Sequence, residues 1–312
     1  MTPGTLLSWK FIVVYIYLFA TLYVHFRGKD RRPLLRQIGD HNTLVAPYNV
    51  FMYWFSAVPA TPILDVKDFP QLAVLRENWQ TIRDEGLQLL SQGGIRAATG
   101  HNDLGFNSFF KNGWKRFYLK WYDSPLPSAL EQCPKTVALL ESIPSVHGAM
   151  FAVLPPGGKL NPHRDPYAGS LRYHLGLATP NDDRCRISID GTLYSWRDGE
   201  DIVFDETYLH WALNETEQTR LILFCDVERP LHTRVMRAIN RFISNTVVRA
   251  GSTQNVPTER IGLLNRVYAA AGVVTTPINE TLRRLKRKNR RLFTIGKYAV
   301  ILGVLYLFLV SW

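Results

Sequence analysis

The sequence predicts a mainly β domain of the sandwich or barrel type, flanked by α-helices and bounded at each end by an apolar segment. Short apolar or alternating stretches follow one another through the middle of the chain, and turn-forming residues separate them. Asp190-Gly191, between two of these stretches, is a strong hairpin pattern. The predicted strands cover residues 114–122, 146–154, 171–177, 185–190, 192–196, 202–204, 211–213 and 221–226.

The two apolar segments cover residues 6–26 and 292–312, and each is close to the roughly 20 residues that cross a bilayer core. Basic residues follow the first segment and precede the second, which favours a cytoplasmic position for residues 27–291. A cleaved signal peptide would carry positive charge before its apolar core and small residues after it, and the first segment has neither. We therefore predict one transmembrane helix at each end, with a buried core helix as the alternative for each.

Between these segments we distinguish three regions. Residues 27–112 form a linker with helical and aromatic stretches, residues 113–230 form the β domain, and residues 231–291 form basic amphipathic helices. In the first region, apolar residues at helical spacing predict one helix from Asp68 to Gly93. The chain is long enough for one sizeable domain with such attachments.

Two stretches outside the β domain could contact a membrane. Residues 46–59 are rich in aromatic side chains, which pack in a core or lie at the headgroup level of a bilayer. Val235, Ile239 and Phe242 begin an apolar stripe set among arginines. A helix of this kind either lies on a membrane surface or packs against the β domain, and the sequence favours neither.

The formal charge of +11 is concentrated in two blocks that adjoin the apolar segments. We interpret these blocks as topology signals that can also bind the phosphates of anionic lipids, so we expect a bilayer partner, no nucleic acid and no obligate protein partner. The three cysteines Cys133, Cys185 and Cys225 are scattered and lack C-x-x-C spacing. They indicate no disulfide framework and no zinc site, in keeping with a reducing compartment.

His163, Asp165 and His210 are candidate metal ligands. In an extended segment the side chains of His163 and Asp165 point the same way, and prolines at 162 and 166 restrict the backbone around them. A lone His-x-Asp is mostly a surface accident, but here a later histidine follows among β-rich stretches. Two histidines and one carboxylate on one face of a metal are typical of non-haem Fe(II) oxygenases.

Arg220 opens an apolar stretch shortly after His210. A guanidinium buried at the start of a strand needs an anionic partner with two acceptor atoms, and the distal carboxylate of 2-oxoglutarate is one. The sequence therefore predicts an iron site that uses 2-oxoglutarate as cosubstrate and O2 as oxidant.

The chain resembles the aspartyl/asparaginyl β-hydroxylase family of iron- and 2-oxoglutarate-dependent dioxygenases, and within it the bacterial lipid A acyl-chain 2-hydroxylases. The family resemblance covers residues 115–230, and the closer one extends through residues 23–29 and 46–53. It rests on Cys133-Pro134, Pro156-Gly157-Gly158, Pro162-His163, the run Arg172-Tyr173-His174-Leu175-Gly176-Leu177, His210 and Arg220.

The resemblance implies a double-stranded β-helix, or jelly roll, with the metal at one open end. It implies that His163 and His210 ligate iron, that Arg220 holds one carboxylate of 2-oxoglutarate, and that Arg172 with His174 reaches the other. The chain departs from the animal members at two positions. Those members have glycine in place of Asp165, and a serine near the cosubstrate where this chain has Ala152.

We therefore expect an enzyme that hydroxylates C2 of a secondary acyl chain of lipid A at the cytoplasmic face of the bacterial inner membrane. An ornithine-lipid acyl hydroxylase would use the same site and topology. A protein aspartyl or asparaginyl hydroxylase and a non-catalytic membrane scaffold are the further alternatives.

Overall fold

The computed structural model describes residues 8–38, 40–97, 103, 105–106, 109–122 and 124–310. Its strands are β1 Ile63–Leu64, β2 Lys115–Trp121, β3 Ser124–Pro125, β4 Val146–Leu154, β5 Lys159–His163, β6 Ser170–Ala178, β7 Cys185–Ile189, β8 Thr192–Ser195, β9 Asp201–Phe204, β10 His210–Asn214 and β11 Arg220–Glu228. Its α-helices are α1 Trp9–Phe26, α2 Leu34–Ile38, α3 Ala46–Trp54, α4 Ala73–Glu77, α5 Trp79–Ser91, α6 Pro127–Gln132, α7 Pro134–Glu141, α8 Arg234–Ile243, α9 Leu263–Lys288 and α10 Arg290–Val310.

The strands form two antiparallel sheets that share one hydrophobic core. The larger sheet has the order β1-β9-β6-β11-β4-β2-β3, and the smaller has the order β5-β10-β7-β8. From β4 to β11 the chain crosses repeatedly between the sheets, so that residues far apart in sequence meet at one end. The predicted mainly β domain with flanking helices is confirmed, and so are its predicted strands.

Local sequence explains two close fits in this fold. The Asp190-Gly191 hairpin is confirmed, because both residues have positive φ, 50° and 84°, as a tight two-residue turn between β7 and β8 requires. Helix α5 approaches the larger sheet at Gly86, where a Cβ atom would lie 3.1 Å from Leu221 and 3.2 Å from Phe151. A larger side chain at residue 86 would push the helix off the sheet.

The single helix predicted from Asp68 is wrong in detail. The segment consists of short 3-10 turns, then α4 and α5, which are separated at Asn78. The Asn78 side chain donates to the carbonyl of Val74 at 2.8 Å, so it competes with the regular backbone hydrogen bond at that place. Asp65 caps the first of these 3-10 turns, Val66–Asp68, because its carboxylate accepts from the backbone N–H of Lys67.

Both terminal helices are long and apolar enough to cross a membrane, by length and composition. They are α1 and α10. The two helices are in contact through Trp9 and Phe308, whose ring centroids are 5.9 Å apart. Parts of the two predicted spans, residues 6–7 and 311–312, lie outside the described residues.

Arg27, in the basic block after α1, has a structural role in addition to the predicted topology signal. Its guanidinium is buried and pairs with Asp205. It lies 3.6 Å from the ring centroid of Tyr53 and 4.0 Å from that of Tyr208. The carboxylate and the two aromatic faces compensate the buried charge, so this arginine fastens the end of α1 to the β domain.

Candidate active site

The three predicted metal ligands meet at one end of the smaller sheet. His163 ends β5 and His210 begins β10, and the two residues are direct partners in the antiparallel ladder. Their ring centroids are 4.2 Å apart. Asp165 follows two residues after His163, and its Oδ1 lies 3.7 Å from His163 Nε2. One ligand atom from each of the three residues lies within 4.8 Å of the others.

Both imidazoles are oriented by backbone carbonyls. His163 Nδ1 lies 2.7 Å from the carbonyl oxygen of Asn161, and His210 Nδ1 lies 3.0 Å from that of Tyr208. Because a carbonyl only accepts, Nδ1 carries the proton in each ring, and the lone pair of Nε2 is left for a metal. Burial lowers the pKa of both histidines, that of His210 to about 3 with help from the neighbouring His163, so both rings are neutral.

Arg172 holds the carboxylate of this triad. Its Nη2 lies 2.9 Å from Asp165 Oδ2 and 3.3 Å from Asp226 Oδ1, and it also pairs with Glu206. The backbone N–H of Asp165 donates to the carbonyl of Glu206 at 2.9 Å. Burial raises the pKa of Asp226, since its charge is costly away from water. Three carboxylates therefore share one buried guanidinium beside the candidate metal position.

Glu206 and Asp226 were not among the site residues predicted from the sequence. One available signal was the alternation of β11, which places Arg220 and Asp226, six residues apart, on the same face of the strand. Asp226 also faces Arg172 directly in the β6–β11 register. Glu206 lies in the connection between β9 and β10, where no periodicity indicates its direction.

Arg220 is buried inside the domain, away from every carboxylate in the described part of the chain. It is 2% exposed, and none of the described carboxylates lies within ion-pair distance of it. Its guanidinium lies 4.4 Å from the ring centroid of Trp196 and makes one long contact, 3.5 Å, with the carbonyl of Ala152. Burial lowers the pKa of Arg220 to about 10, because this environment disfavours the positive charge.

His174 is also buried, and neither of its ring nitrogens has a hydrogen-bond partner among the described residues. It follows Arg172 by two positions on β6, and its ring packs against Phe204 and Phe224 at 5.0 and 5.2 Å. Burial and the nearby positive charges of Arg172 and Arg220 hold its pKa well below the usual range. A neutral imidazole with an unused N–H is therefore available in this part of the molecule.

All six predicted site residues, His163, Asp165, Arg172, His174, His210 and Arg220, line one cleft. The remaining lining is apolar: Phe106, Phe109, Trp114, Ala152, Leu160, Ile187, Trp196, Phe204, Ala212, Ile222 and Phe224.

An aromatic segment before β2 closes one side of the cleft. Phe109 lies 4.7 Å from the ring of His163, and Phe106 lies 5.9 Å from Phe224. A buried ion pair between Asp103 and Arg116, 3.0 Å long, anchors the segment. Phe106 and Phe109 were not among the site residues predicted from the sequence, although aromatic residues in a Gly- and Asn-rich stretch were an available signal.

Comparison with known proteins gives the family. A family model described as aspartyl/asparaginyl beta-hydroxylase matches residues 76–230. The ornithine lipid ester-linked acyl 2-hydroxylase of Rhizobium tropici is 32% identical over 189 residues, which are 60% of this chain and 67% of that protein. The chain belongs to the aspartyl/asparaginyl β-hydroxylase family. The predicted family is thereby confirmed, and the site lies in a hydroxylase of this family.

Two further matches have lower sequence identity. The human aspartyl/asparaginyl beta-hydroxylase is 30% identical over 161 residues, which are 50% of this chain and only 21% of that protein. A Pseudomonas putida prolyl-4-hydroxylase structure has 19% identity and a TM-score of 0.35, and the match covers 49% of this chain and 87% of that chain. The chain thus spans about two thirds of the Rhizobium tropici relative and about a fifth of the human one.

Proposed function

We propose that this β-hydroxylase family member is an Fe(II)- and 2-oxoglutarate-dependent dioxygenase that hydroxylates C2 of a fatty acyl chain of a membrane lipid. The observation that carries the proposal is the position of Arg220. A buried guanidinium that pairs with none of the described carboxylates lines the same cleft as two neutral histidines and a carboxylate. A dicarboxylate that also reaches the metal would compensate the charge of Arg220 and complete the site.

The strand order supports the finer fold that the resemblance implies. Strands β4, β6, β9 and β11 are neighbours in the larger sheet, whereas β5, β7, β8 and β10 form the smaller one. This alternation is the arrangement of a double-stranded β-helix, in which the metal lies at one open end between the sheets.

The donor set fits Fe(II), and different residues of the chain would bind the metal and the cosubstrate. His163, His210 and Asp165 would hold the metal, with Nε2 of each ring as the donor. When bound, Fe(II) with 2-oxoglutarate and O2 would supply an oxidant strong enough to hydroxylate an unactivated C–H bond. Arg220 would pair with the distal carboxylate of 2-oxoglutarate.

Arg172 and His174 face the other end of the cosubstrate from β6, and Arg172 also keeps Asp165 in place. The apolar side chains of the cleft, Phe109 and Phe224 among them, exclude water from the reacting atoms. Ala152 offers no side-chain hydroxyl, so hydrogen bonds to the cosubstrate come from the arginines and from His174.

The two apolar helices support a membrane location. If α1 and α10 span the inner membrane with the basic blocks on the cytoplasmic side, the cleft lies on that side. An acyl chain that stays partly in the bilayer avoids exposing apolar area, at about 25 cal/mol for each Å2. The membrane attachment would thus select a lipid substrate.

Two lipid classes are candidates. Lipid A is the expectation from the resemblance of residues 23–29 and 46–53, whereas the Rhizobium tropici relative is named for ornithine lipid. The chemistry at C2 of the acyl chain and the topology are the same for both.

Lipid mass spectrometry of a deletion strain tests the proposal and separates the two classes. We expect one lipid class to lose the mass of one oxygen atom, and expression of the wild-type chain to restore it. His163→Ala should fail to restore it, whereas His232→Ala, which changes an exposed histidine outside the cleft, should succeed. Hydroxylated aspartyl or asparaginyl residues without any changed lipid would favour a protein hydroxylase. Purified protein that does not consume 2-oxoglutarate with Fe(II) would favour the scaffold.

A further inference from the structure

Helix α8 exposes apolar side chains and buries a polar one, the reverse of an ordinary surface helix. Val235 is 64% exposed and Phe242 is 67% exposed, and Ile239, on the same face, is 40% exposed. The most buried side chain of the helix is polar, since Asn240 is only 1% exposed, and Met236 on the same side packs partly buried against the cluster formed with α1 and α3. The apolar stripe of α8 therefore points away from the β domain, which excludes the packing alternative of the sequence analysis.

The hydrogen bonds of Asn240 explain this orientation. Its Oδ1 accepts from the hydroxyls of Tyr48, 2.7 Å away, and Tyr167, 2.5 Å away, and its Nδ2 donates to the carbonyl of Gly169 at 2.9 Å. A buried amide costs free energy unless it is paired, and this one is paired on both sides. The network fixes the rotation of α8 and leaves its apolar side chains in solvent.

The exposed apolar surface continues onto the neighbouring helix. Tyr48 joins α3 to α8, and α3 leaves Phe51 48% exposed and Trp54 53% exposed. The ring of Trp54 lies 6.1 Å from Phe19 on the candidate span α1. Surface apolar residues usually occur singly, whereas adjoining helices that expose several of them mark an interaction site. We call Phe51, Trp54, Val235, Ile239 and Phe242 the apolar shelf.

The charges beside the shelf favour an anionic bilayer as its occupant. Helix α8 carries Arg234, Arg237 and Arg241 and no acidic residue. Arg241 pairs with Glu228, and Arg237 donates to a backbone carbonyl, so Arg234 has the least engaged charge. Cations beside an apolar face are what an interfacial helix uses to bind anionic headgroups while its apolar side chains enter the acyl boundary. The shelf also adjoins α1, which is apolar enough to cross the same bilayer.

We propose that the apolar shelf lies in the surface of an anionic phospholipid bilayer and docks the catalytic domain on it. The contact bears on the site because Tyr167, which donates to Asn240, follows Asp165 by two residues. The shelf therefore holds the segment between the metal motif and β6 at the level of the headgroups. This inference shares the membrane location with the proposed function but does not depend on the hydroxylation chemistry.

The test uses the full chain reconstituted in vesicles of phosphatidylethanolamine and phosphatidylglycerol. The native cysteines Cys133, Cys185 and Cys225 are all buried, so an introduced surface cysteine can be labelled selectively with a fluorophore. Phe242→Cys reports on the shelf. Leu193→Cys is the matched control, because Leu193 is 58% exposed and lies on β8 of the smaller sheet, outside the shelf.

Phospholipids brominated on their acyl chains quench a fluorophore that enters the bilayer. We expect a loss of fluorescence at residue 242, little loss at residue 193, and a weaker loss at 242 when phosphatidylcholine replaces phosphatidylglycerol. A label at 242 that stays as bright as the control overturns the proposal. Efficient maleimide cross-linking between two copies through residue 242 also overturns it, because the occupant would then be a second chain.

Consumption of 2-oxoglutarate in the same vesicles separates this proposal from the proposed function. Turnover without quenching at residue 242 refutes the shelf alone. Quenching at residue 242 without turnover supports the shelf and refutes the dioxygenase alone.

Discussion

Replacing Arg220 by methionine is the sharpest test of the cosubstrate site. Methionine keeps most of the length and apolar volume of the side chain but removes the charge and its donors. In the folded protein the guanidinium has one long hydrogen bond, 3.5 Å, to Ala152 and a ring contact with Trp196. The substitution therefore breaks no ion pair among the described residues and should leave the fold intact.

The magnitude follows from the cost of keeping this charge buried. A pKa of about 10 for Arg220, instead of the ordinary 12.5, corresponds to about 3 kcal/mol that disfavours the charged form. A bound dicarboxylate recovers this free energy, and loss of one partner of a buried charge pair typically costs about 2–5 kcal/mol. We therefore expect Arg220→Met to weaken 2-oxoglutarate binding by about 30-fold or more. The protein without ligand should be no less stable than wild type, because an uncompensated charge has been removed.

The assay is a titration with 2-oxoglutarate, followed by tryptophan fluorescence because Trp196 lies beside the guanidinium, together with the KM for 2-oxoglutarate. Arg186→Met is the matched control. Arg186 lies on β7 and pairs with Glu215 at 2.9 Å near the surface, where such a pair contributes about 0–1 kcal/mol. Unchanged affinity in Arg220→Met, with affinity also unchanged in the control, would refute the assignment of Arg220 to the cosubstrate.

Three further predictions follow from the same site. Asp165→Ala removes one of the three candidate ligands, so Fe(II) binding should weaken by at least the about 10–100-fold that loss of a residue orienting a ligand costs, and normal affinity in a metal titration would mean that two histidines suffice. Arg172→Met leaves Asp165, Glu206 and Asp226 without their shared cation, so thermal unfolding in detergent should show a loss of about 3–5 kcal/mol. Burial holds the pKa of His210 at about 3, whereas in the unfolded chain it is about 6.5. Below about pH 6.5 the unfolded chain therefore binds a proton at His210 that the folded chain excludes, so this residue alone costs the metal-free protein up to about 1.4 kcal/mol per pH unit. His163 and His174, whose pKa values burial also lowers, act in the same direction. Thermal unfolding between pH 7.5 and 5 should show the combined slope, and His210→Gln should reduce it by the share of one proton.

The sequence could predict those parts of the site that depend on spacing along one strand. His163 with Asp165, and Arg172 with His174, are two residues apart, and a strand places such pairs on one side whatever it packs against. Each pair lines the same cleft in the structure. The later ligand candidate His210 was identified by its residue type and its place among short strands.

What the sequence could not predict depends on register and on packing between segments far apart in the chain. Asp226 reaches Arg172 because β11 pairs with β6 in a register that places them opposite each other, and a shift by one residue would turn Asp226 away. Arg27 follows an apolar helix like any topology signal, and only the position of Asp205 makes it a buried anchor. The outward apolar face of α8 likewise depends on tyrosines from two distant segments that bind Asn240.

The anchoring of the metal motif to α1 joins these observations. Arg164 stands between His163 and Asp165, is 3% exposed, and donates to the carbonyl of Val24 at 2.9 Å in the last turn of α1. A cation at a helix C-terminus is favourable there because the last carbonyls lack partners. The end of a candidate membrane span is thereby bonded to the residue between two candidate iron ligands. We expect Arg164→Met to lower Fe(II) affinity while the chain stays in the membrane, because the strand end that carries His163 loses its support. Unchanged metal affinity in this variant would mean that β5 alone positions the ligands and that α1 serves only as an anchor.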